Sequence, residues 1–331
     1  MTGVPRERDL VLALSGGVGG AKLALGLSKL VAPDRLVVIA NTADDFKHLG
    51  LYISPDIDTL LYTLAGLNNP ETGWGRREET WTFMAALEAL GGETWFRLGD
   101  GDVAIHVERT RRLNAGELLS RIVQDFSRRL GIAAQIVPMT DSPVQTRVQT
   151  RDGWLAFQRY FVEQQCRPEV LGFAFDGAAA ASPHPDFLAA LQSKALRAVV
   201  ICPSNPFISI DPILALRGVR EALCKSAALV VAVSLVIGGN AVKGPTAKML
   251  RELGREVSAA EVARHYQDFL DGYVLDDADA ALAKALPVPA VATKTLMLSL
   301  ADREHVARVA LALADHLSGG GDRSEAHRRL S

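Results

Sequence analysis

Short apolar runs, each followed by a turn and then by an amphipathic helical pattern, constrain the fold of this sequence more than any other feature. Runs rich in Val, Ile, Leu and Ala are typical of parallel strands whose two faces are both covered. Repeated strand–turn–helix units predict an α/β fold with a doubly wound, mostly parallel, Rossmann-like sheet. Ligands of such sheets bind at the carboxyl ends of the strands. The predicted strands are Leu10–Leu14, Arg35–Ala40, Ala198–Cys202 and Leu229–Ser234, and the first predicted helix runs from about Gly19 to Leu30.

The middle of the chain departs from this pattern. The segments Thr146–Thr150 and Trp154–Phe161, separated by a turn that contains glycine, predict a β-hairpin. Helical patterns cover Glu79–Leu90 and Gly116–Leu130. We interpret these segments as a smaller inserted cap, or second lobe, around residues 70–190.

The end of the chain has a helical pattern and then a polar segment. The last predicted helix runs from about Arg303 to Leu317 and is followed by three consecutive glycines and a charged stretch. We therefore predict a single domain over residues 1–317 and a disordered tail over residues 318–331.

Composition excludes several classes of function. The chain has 331 residues, 48% of them hydrophobic, and a formal net charge of -2. A chain without an excess of basic residues is not expected to bind nucleic acid. The start, Met1 to Asp9, is not typical of a signal peptide, and the longest apolar stretch, Ala227 to Gly238, is too short to span a bilayer. We expect a cytoplasmic protein that has no membrane partner.

The cysteines support the same interpretation. Cys166, Cys202 and Cys224 lie far apart in sequence and form neither a paired metal-binding motif nor an even disulfide framework. We expect reduced, mostly buried thiols.

The turn after the first strand is rich in glycine. It reads Ser15-Gly16-Gly17-Val18-Gly19-Gly20-Ala21-Lys22 and opens the first helix. Such a turn lets helix amides approach a phosphate, although it is sometimes needed only for tight packing. It is not a P-loop, because Lys22 is not followed by Ser or Thr. The next strand ends in Asn41-Thr42 rather than in the acidic residue of a dinucleotide site, which disfavours an oxidoreductase.

Carboxylates crowd the loop after the second strand. Asp44, Asp45, Asp56 and Asp58 would repel one another unless a positive charge lies among them. Mg²⁺ bound by one or two carboxylates and by substrate phosphates would supply that charge. We predict Mg²⁺ as the cofactor, with Asp45 and Asp58 as ligands and Asp44 or Asp56 as further candidates. The alternative for Asp56 is that it caps the helix that starts near Ile57.

Two more loops carry polar side chains. A predicted strand over residues 95–97 ends in Arg97 and leads into a turn with Asp100 and Asp102, followed by His106. An arginine there can bind a phosphate or the carbonyl groups of an aromatic ring, whereas a lone histidine is more often structural than a base.

The other loop follows the strand at Ala198–Cys202. It contains Ser204-Asn205-Pro206, which offers a hydroxyl and an amide to a nucleotide. A further glycine-containing loop holds Lys243, a candidate phosphate contact.

Taken in this order, the motifs resemble the phospholactate transferase family of coenzyme F420 biosynthesis, from Leu12 to about Asp277. The matching segments are Ser15-Gly-Gly-Val-Gly-Gly20, Asn41-Thr-Ala-Asp-Asp45, Ser54-Pro-Asp-Ile-Asp-Thr59-Leu-Leu-Tyr-Thr-Leu-Ala-Gly66, Trp74-Gly75, Arg97-Leu-Gly-Asp-Gly-Asp102, Pro203-Ser-Asn-Pro206 and His265-Tyr266. The resemblance implies a Mg²⁺-dependent transferase in which a guanosine diphospho-acid is the donor. The acceptor is 7,8-didemethyl-8-hydroxy-5-deazariboflavin, a deazaflavin alcohol, and GMP leaves.

The resemblance also implies roles for individual residues. Asp58 and Arg97 would hold the deazaflavin alcohol, and Asp45 and Asp58 would be catalytic. The expected nucleotide-binding residues are Gly16, Gly17, Gly19, Gly20, Asn41, Ser204, Asn205 and Pro206. The family suggests a homodimer, and the guanylyltransferase that makes the donor is a candidate partner. The sequence leaves the acid open among phospholactate, phosphoenolpyruvate and phosphoglycerate.

One alternative belongs to another functional class. A related family of non-enzymatic metabolic regulators shares the glycine-rich loop and the Asn41-to-Asp45 segment and binds a UDP-sugar. We expect the segments around Asp58 and Arg97 only in the transferase, and both are present.

Overall fold

The centre of the protein is a seven-stranded sheet, seen in a computed structural model that describes residues 8–242 and 244–319. The strands of the described chain are β1 (Leu10–Ser15), β2 (Leu36–Ala40), β3 (Phe46–His48), β4 (Leu51–Ile53), β5 (Gln135–Pro138), β6 (Gln145–Thr150), β7 (Gly153–Ala156), β8 (Gly172–Asp176), β9 (Leu196–Ile201), β10 (Leu229–Val233), β11 (Val236–Ile237), β12 (Asn240–Ala241), β13 (Gly272–Asp276) and β14 (Ala290–Thr293).

Helices cover both faces of this sheet. The α-helices are α1 (Gly17–Leu30), α2 (Pro55–Leu64), α3 (Thr82–Ala89), α4 (Asp100–Asn114), α5 (Leu119–Arg129), α6 (Pro185–Gln192), α7 (Asp211–Leu214), α8 (Val219–Lys225), α9 (Thr246–Glu252), α10 (Ala259–His265) and α11 (Leu300–Ser318). Short 3₁₀-helices occur at Pro33–Arg35 and Asp277–Ala285, and π-helices at Arg159–Glu163 and Pro206–Ile210.

The strand order is β14-β13-β10-β9-β1-β2-β5, and every neighbouring pair is parallel. The chain winds outward from β1 in one direction and from β9 in the other, so the order reverses between these two strands. Doubly wound sheets bind ligands in the crevice at this reversal. The fold therefore confirms the predicted α/β class and identifies the edge at which a site is expected.

Alternation along the strands divides the core into two layers. Val11 and Ala13 face the layer that α1, α2, α5 and α11 cover, whereas Leu12 and Leu14 face α6, α7, α8 and α10. Successive strand side chains point to opposite faces, and both faces here are apolar. This double burial explains why the strands read as continuous apolar runs in the sequence.

The four predicted strands and the helix that follows β1 are confirmed to within a few residues. The predicted hairpin is confirmed as β6 and β7, but its second strand ends at Ala156, where the chain turns into a helical segment. β8 pairs with the other edge of β6 and makes a three-stranded antiparallel sheet. The interval 70–190 also contains β5, which is an edge strand of the central sheet.

One predicted strand is wrong. Residues 95–97 form no strand, and Asp100 and Asp102 lie in the first turn of α4 rather than in a turn between strands. Acidic side chains are favourable there because of the helix dipole. The Asp100 carboxylate also accepts hydrogen bonds from the backbone amides of Thr82 and Phe83 at 3.1 and 2.9 Å, which caps α3.

Two predictions fall outside the described chain. Lys243 and the part of the predicted tail beyond Gly319 are not among the described residues. Within the chain that the structure describes, none of the helices combines the length and the apolar character that crossing a membrane requires.

Candidate active site

A cavity of about 730 Å³ opens at the carboxyl edge of the sheet, where the strand order reverses. Its floor comes from the turns that follow β1 and β9, which contribute Gly16 to Gly19 and Pro203 to Asn205. One wall comes from α2 and α4. Aromatic side chains close another side, namely Trp74, Trp95, Phe96, Phe157 and Phe161. The cavity is large enough for a nucleotide-sized ligand.

The glycine-rich turn is held by side chains from distant parts of the chain. The amide of Gly16 donates to Ser204 Oγ at 3.1 Å, and the amide of Gly17 donates to Asp56 Oδ1 at 2.7 Å. The amides of Val18 and Gly19 lie in the first turn of α1, where no intrahelical carbonyl is in reach. These two amides are the phosphate donors that the turn can offer.

Two of the glycines are required for different reasons. Gly17 has φ +66°, and nothing lies within 4 Å of the position of an added Cβ. At Gly19 the same Cβ would lie 2.3 Å from the carbonyl oxygen of Pro203. Glycine is therefore favoured at position 17 because the backbone there is left-handed. At position 19 glycine permits close packing of α1 against the turn after β9.

Asp56 ties the loop after β2 to the start of α1. Its Oδ2 accepts from Asn41 Nδ2 at 2.9 Å, and its Oδ1 accepts from the Gly17 amide. The residue that precedes α2 is Ser54, and Asp56 makes no cap to its own helix. The alternative that Asp56 caps the helix near Ile57 is therefore wrong.

Asp44 and Asp45 are buried side by side but face different surroundings. Asp44 lines the cavity, and its Oδ1 has no hydrogen-bond partner among the described residues. Asp45 is not among the lining residues, and its Oδ2 accepts from Ser54 Oγ at 2.8 Å. Asp44 is thus the carboxylate of this pair that a ligand in the cavity can reach.

Burial shifts the titration of these carboxyl groups. It raises the pKa of Asp44, and repulsion by Asp56 raises that pKa further. Burial also raises the pKa values of Asp45 and Asp56. The carboxylates of this loop are therefore short of compensating positive charge, which a bound cation would supply.

A metal would need ligands from outside the protein to complete its shell. Within the described chain, no group of three His, Cys, Asp or Glu side chains is arranged to enclose a metal ion. Mg²⁺ is usually bound by one or two carboxylates together with substrate phosphates and water. Asp44 lines the cavity and its buried Oδ1 has no hydrogen-bond partner among the described residues, which fits that mode of binding.

The wall formed by α2 and α4 carries a network of charged and polar side chains. Asp58 and Tyr62 are one turn apart on α2, and Asp102, His106 and Arg109 share one face of α4. Arg109 Nη1 lies 3.1 Å from Asp58 Oδ2, and Nη2 contacts the other oxygen. His106 lies between two acids, with Nε2 3.3 Å from Asp102 Oδ1 and Nδ1 3.7 Å from Asp58 Oδ2.

This network also fixes Tyr62 and Asp102. The Tyr62 hydroxyl donates to Asp102 Oδ1 at 2.5 Å. Burial opposes the charge of Asp102, but hydrogen bonding and attraction from His106 leave the pKa of Asp102 below its ordinary value. His106 is thus part of a buried network and not a lone structural histidine.

Arg97 lies on the exposed side of the same cavity. Its guanidinium stacks over the ring of Trp81, with 4.1 Å from Cζ to the ring centroid. Phe157 and Phe161 stack with centroids 5.3 Å apart and an interplanar angle of 14°. A planar guanidinium and flat aromatic surfaces at one cavity are suited to an aromatic ligand with polar edges.

The structure brings together most of the residues that the sequence singles out. Those that line the cavity are Asp58, Arg97, Gly16, Gly17, Gly19, Ser204 and Asn205. Those outside the lining are Asp45, Gly20, Asn41 and Pro206. Asn41 is fully buried and donates to Asp56 and to the carbonyl of Ile208, so its amide supports the loop from behind.

Sequence reasoning missed Lys22, Tyr62 and Arg109. Lys22 lines the cavity and donates to the carbonyl of Met297 at 2.9 Å, a contact between residues 275 positions apart. The i, i+4, i+7 spacing of Asp102, His106 and Arg109 was a usable signal, because it places all three on one helical face. No sequence pattern indicated that the segment around Met297 lies at the site.

Comparison with known proteins identifies the family. The chain matches the family described as 2-phospho-L-lactate transferase CofD over residues 11–308. It is 38% identical to a phosphoenolpyruvate transferase of Kitasatospora aureofaciens, over 94% of this chain and 99% of that protein. It is also 38% identical to a 2-phospho-L-lactate transferase of Methanocaldococcus jannaschii, over 90% of this chain and 96% of that protein.

A solved structure shares the fold. A crystal structure of a UPF0052 family protein from Bacillus halodurans superposes with a TM-score of 0.63 at 16% identity, covering 93% of this chain and 100% of that one. At this identity the likeness concerns the fold alone. The family match and the two relatives decide the assignment: this chain belongs to the 2-phospho-L-lactate transferase CofD family and is a transferase.

Proposed function

We propose that this transferase moves a phospho-acid group from a guanosine diphospho-acid to 7,8-didemethyl-8-hydroxy-5-deazariboflavin in coenzyme F420 biosynthesis. The observation that carries the proposal is one cavity with two chemically distinct parts. The start of α1 offers backbone amides to a diphosphate, and the α2–α4 wall with Arg97 offers polar groups to a flat alcohol. Family membership makes this pair of ligands the best match to the two parts.

The donor would bind at the floor. The amides of Val18 and Gly19 point their partial positive charge at a phosphate. Lys22, one turn further along α1, lines the same cavity and brings a positive charge to it. Ser204 and Asn205 provide polar side chains beside the turn. This arrangement supports binding of the guanosine diphosphate part of the donor.

Mg²⁺ would be held by carboxylates on the cavity wall. Of the two predicted ligands, Asp58 lines the cavity and Asp45 does not, whereas both further candidates, Asp44 and Asp56, line it. When bound, the ion would neutralise negative charge on the donor diphosphate. Melting temperature measured with GDP, Mg²⁺ and EDTA tests the ion separately from turnover, since a metal held jointly with the diphosphate should stabilise only in the presence of GDP.

The acceptor would bind along the wall. Asp58 can accept a hydrogen bond from the attacking ribityl hydroxyl, and Arg97 can pair with the polar edge of the ring. The hydroxyl oxygen forms a bond to the phosphorus that bears the acid, and the bond from that phosphorus to the GMP oxygen breaks. Such a transfer depends on positioning and charge neutralisation more than on a covalent intermediate.

An experiment with three donors can identify the acid that is transferred. The two relatives at 38% identity are named for different acids, so identity does not favour either. We would incubate the protein with the deazaflavin alcohol and with a donor made enzymatically from GTP and phospholactate, phosphoenolpyruvate or phosphoglycerate in turn. We expect one donor to give the phosphodiester, by mass, with an equal amount of GMP. The absence of product and of GMP with all three donors would reject the proposed function.

Nucleotide preference separates the transferase from a UDP-sugar-binding regulator. We expect GDP to raise the melting temperature and UDP-sugars to leave it unchanged. The reverse pattern, without turnover, would favour the regulator. Light scattering tests the proposed homodimer, and mixing with the guanylyltransferase tests that enzyme as a partner.

A further inference from the structure

Arg109 is the buried cation of the α2–α4 wall. It is fully buried, and both terminal nitrogens of its guanidinium contact the two carboxylate oxygens of Asp58. Nη1 also lies 3.4 Å from the carbonyl oxygen of Tyr52 and from His106 Nδ1. Asp58 lines the cavity, but Arg109 does not. The arginine therefore reaches the site only through the aspartate.

Stability alone does not account for this ion pair. Apolar residues of similar volume can often replace a buried ion pair without loss of stability, because removing both charges from water is costly. Apolar packing is available here, since Leu60 and Leu61 on α2 are buried in the core. The two-pronged contact between Arg109 and Asp58 fixes the pair in position.

A planar guanidinium that contacts both carboxylate oxygens restrains rotation of the carboxylate. The oxygens of Asp58 keep further lone pairs for a group in the cavity. Arg109 thus orients Asp58.

We propose that Arg109 is the positioning residue of the acceptor site, which holds Asp58 in the orientation that receives the ribityl hydroxyl. This inference rests on the proposed function. It assigns a role in the reaction to a side chain of α4 that contacts Asp58 and not the substrate. The amides of the donor floor come from other elements, so Arg109 acts on the acceptor, and on an ion held by Asp58, but not on GDP binding in the absence of Mg²⁺.

The experiment compares Arg109→Lys with a matched control. Lysine keeps the charge but cannot contact both oxygens in one plane. The control is Arg197→Lys, because Arg197 makes a two-pronged ion pair with Asp315 at 2.8 and 2.7 Å. Arg197 lies near the amino end of β9, at the opposite edge of the sheet from the cavity, and is not among the lining residues.

We expect Arg109→Lys to lower kcat about tenfold and to weaken binding of the deazaflavin alcohol, because small misplacements of a reacting group are costly. Binding of GDP measured without Mg²⁺ should stay within about twofold of the parent, since the amides of the donor floor are untouched. Arg197→Lys should keep kcat and lose less thermal stability than Arg109→Lys, because the Arg197–Asp315 pair is partly exposed. Arg109→Met should lower kcat further than Arg109→Lys. If Arg109→Met does not fold, the comparison of Arg109→Lys with Arg197→Lys tests the inference.

The readouts are kcat, KM for each substrate, calorimetric binding of the deazaflavin alcohol and of GDP, and melting temperature. Equal kcat values for the two lysine variants, or parallel weakening of GDP and of the deazaflavin alcohol, would overturn the inference. A parent that binds the deazaflavin alcohol without converting any donor would reject the proposed function, and the binding comparison would still test Arg109. A parent that binds no deazaflavin alcohol would reject both.

Discussion

The two parts of the cavity are built in opposite ways. The phosphate-binding part of the floor is a continuous stretch of chain, Gly16 to Gly19, whose backbone amides would contact the phosphate. The α2–α4 wall is built from side chains that meet across long sequence separations, such as Asp58 and Arg109 at 51 residues. The glycine-rich turn can be recognised in the sequence as a local motif. The α2–α4 wall forms only when distant parts of the chain pack together. The two parts should therefore respond differently to substitution.

The largest expected effect is at Gly19. Gly19→Val would place a Cβ 2.3 Å from the backbone oxygen of Pro203, and a backbone atom cannot move aside as a flexible side chain can. Forced overpacking of this kind costs about 3 kcal/mol or more. We expect urea unfolding to show severe loss of stability or no folded protein.

Gly17→Ala is the matched control in the same turn. Its φ of +66° is unfavourable for alanine, but no atom lies within 4 Å of the new Cβ. We expect a folded protein that is about 1 kcal/mol less stable and binds GDP less tightly. Comparable losses of stability at both positions would contradict the division between packing and backbone conformation.

A smaller effect is expected at Arg97, on the wall side of the cavity. Arg97→Ala removes an exposed guanidinium that stacks on Trp81, so stability should change little. We expect KM for the deazaflavin alcohol to rise about tenfold while GDP affinity is unchanged. Arg220→Ala is a control, because Arg220 also lies over an aromatic ring, that of Phe269, and neither residue lines the cavity.

This measurement addresses the separation of the two parts directly. If Arg97→Ala weakens donor and acceptor alike and lowers the melting temperature, then Arg97 is a structural residue and the wall is not a separate acceptor site. Kinetics with each substrate varied in turn, together with thermal melting, distinguishes the two outcomes.

The smallest expected effect is the pH dependence of stability at Asp44. Because the pKa of Asp44 is raised in the folded protein, the native state binds more protons than the unfolded chain at pH values above 3.8. Stability from this group is therefore present at low pH and is lost as the pH rises through the folded pKa. Asp44→Asn removes that loss and should raise the melting temperature at neutral pH by about 2 °C.

The sign of the pH effect is the test. The gain from Asp44→Asn should shrink as the pH falls toward 4, because the parent carboxyl then becomes protonated as well. If the gain in melting temperature did not change with pH, it would not come from the charge of the Asp44 carboxylate. Mg²⁺ with GDP should stabilise the parent more than the variant if Asp44 takes part in holding the ion.

Sequence patterns predicted the strands and the turn whose conformation depends on neighbouring residues. Apolar runs covered on both faces identified four strands of the central sheet, and the glycine turn located its ligand-binding edge. The pattern failed at residues 95–97, because aromatic side chains there pack in an irregular segment beside the cavity rather than in a strand. It also extended β7 past Ala156, where Phe157 packs against Phe161 in a helical segment.

The sequence by itself determined the α/β class, the edge of the sheet at which the site lies and most of the polar residues at that edge. Tertiary structure decided which of those residues face the cavity. Asp44 faces it while Asp45 is turned to Ser54, although the two are adjacent in sequence. Tertiary structure alone also paired Asp58 with Arg109. The physical reason is that local spacing fixes the face of a helix or strand, whereas a partner for a buried charge depends on which elements the core packs together.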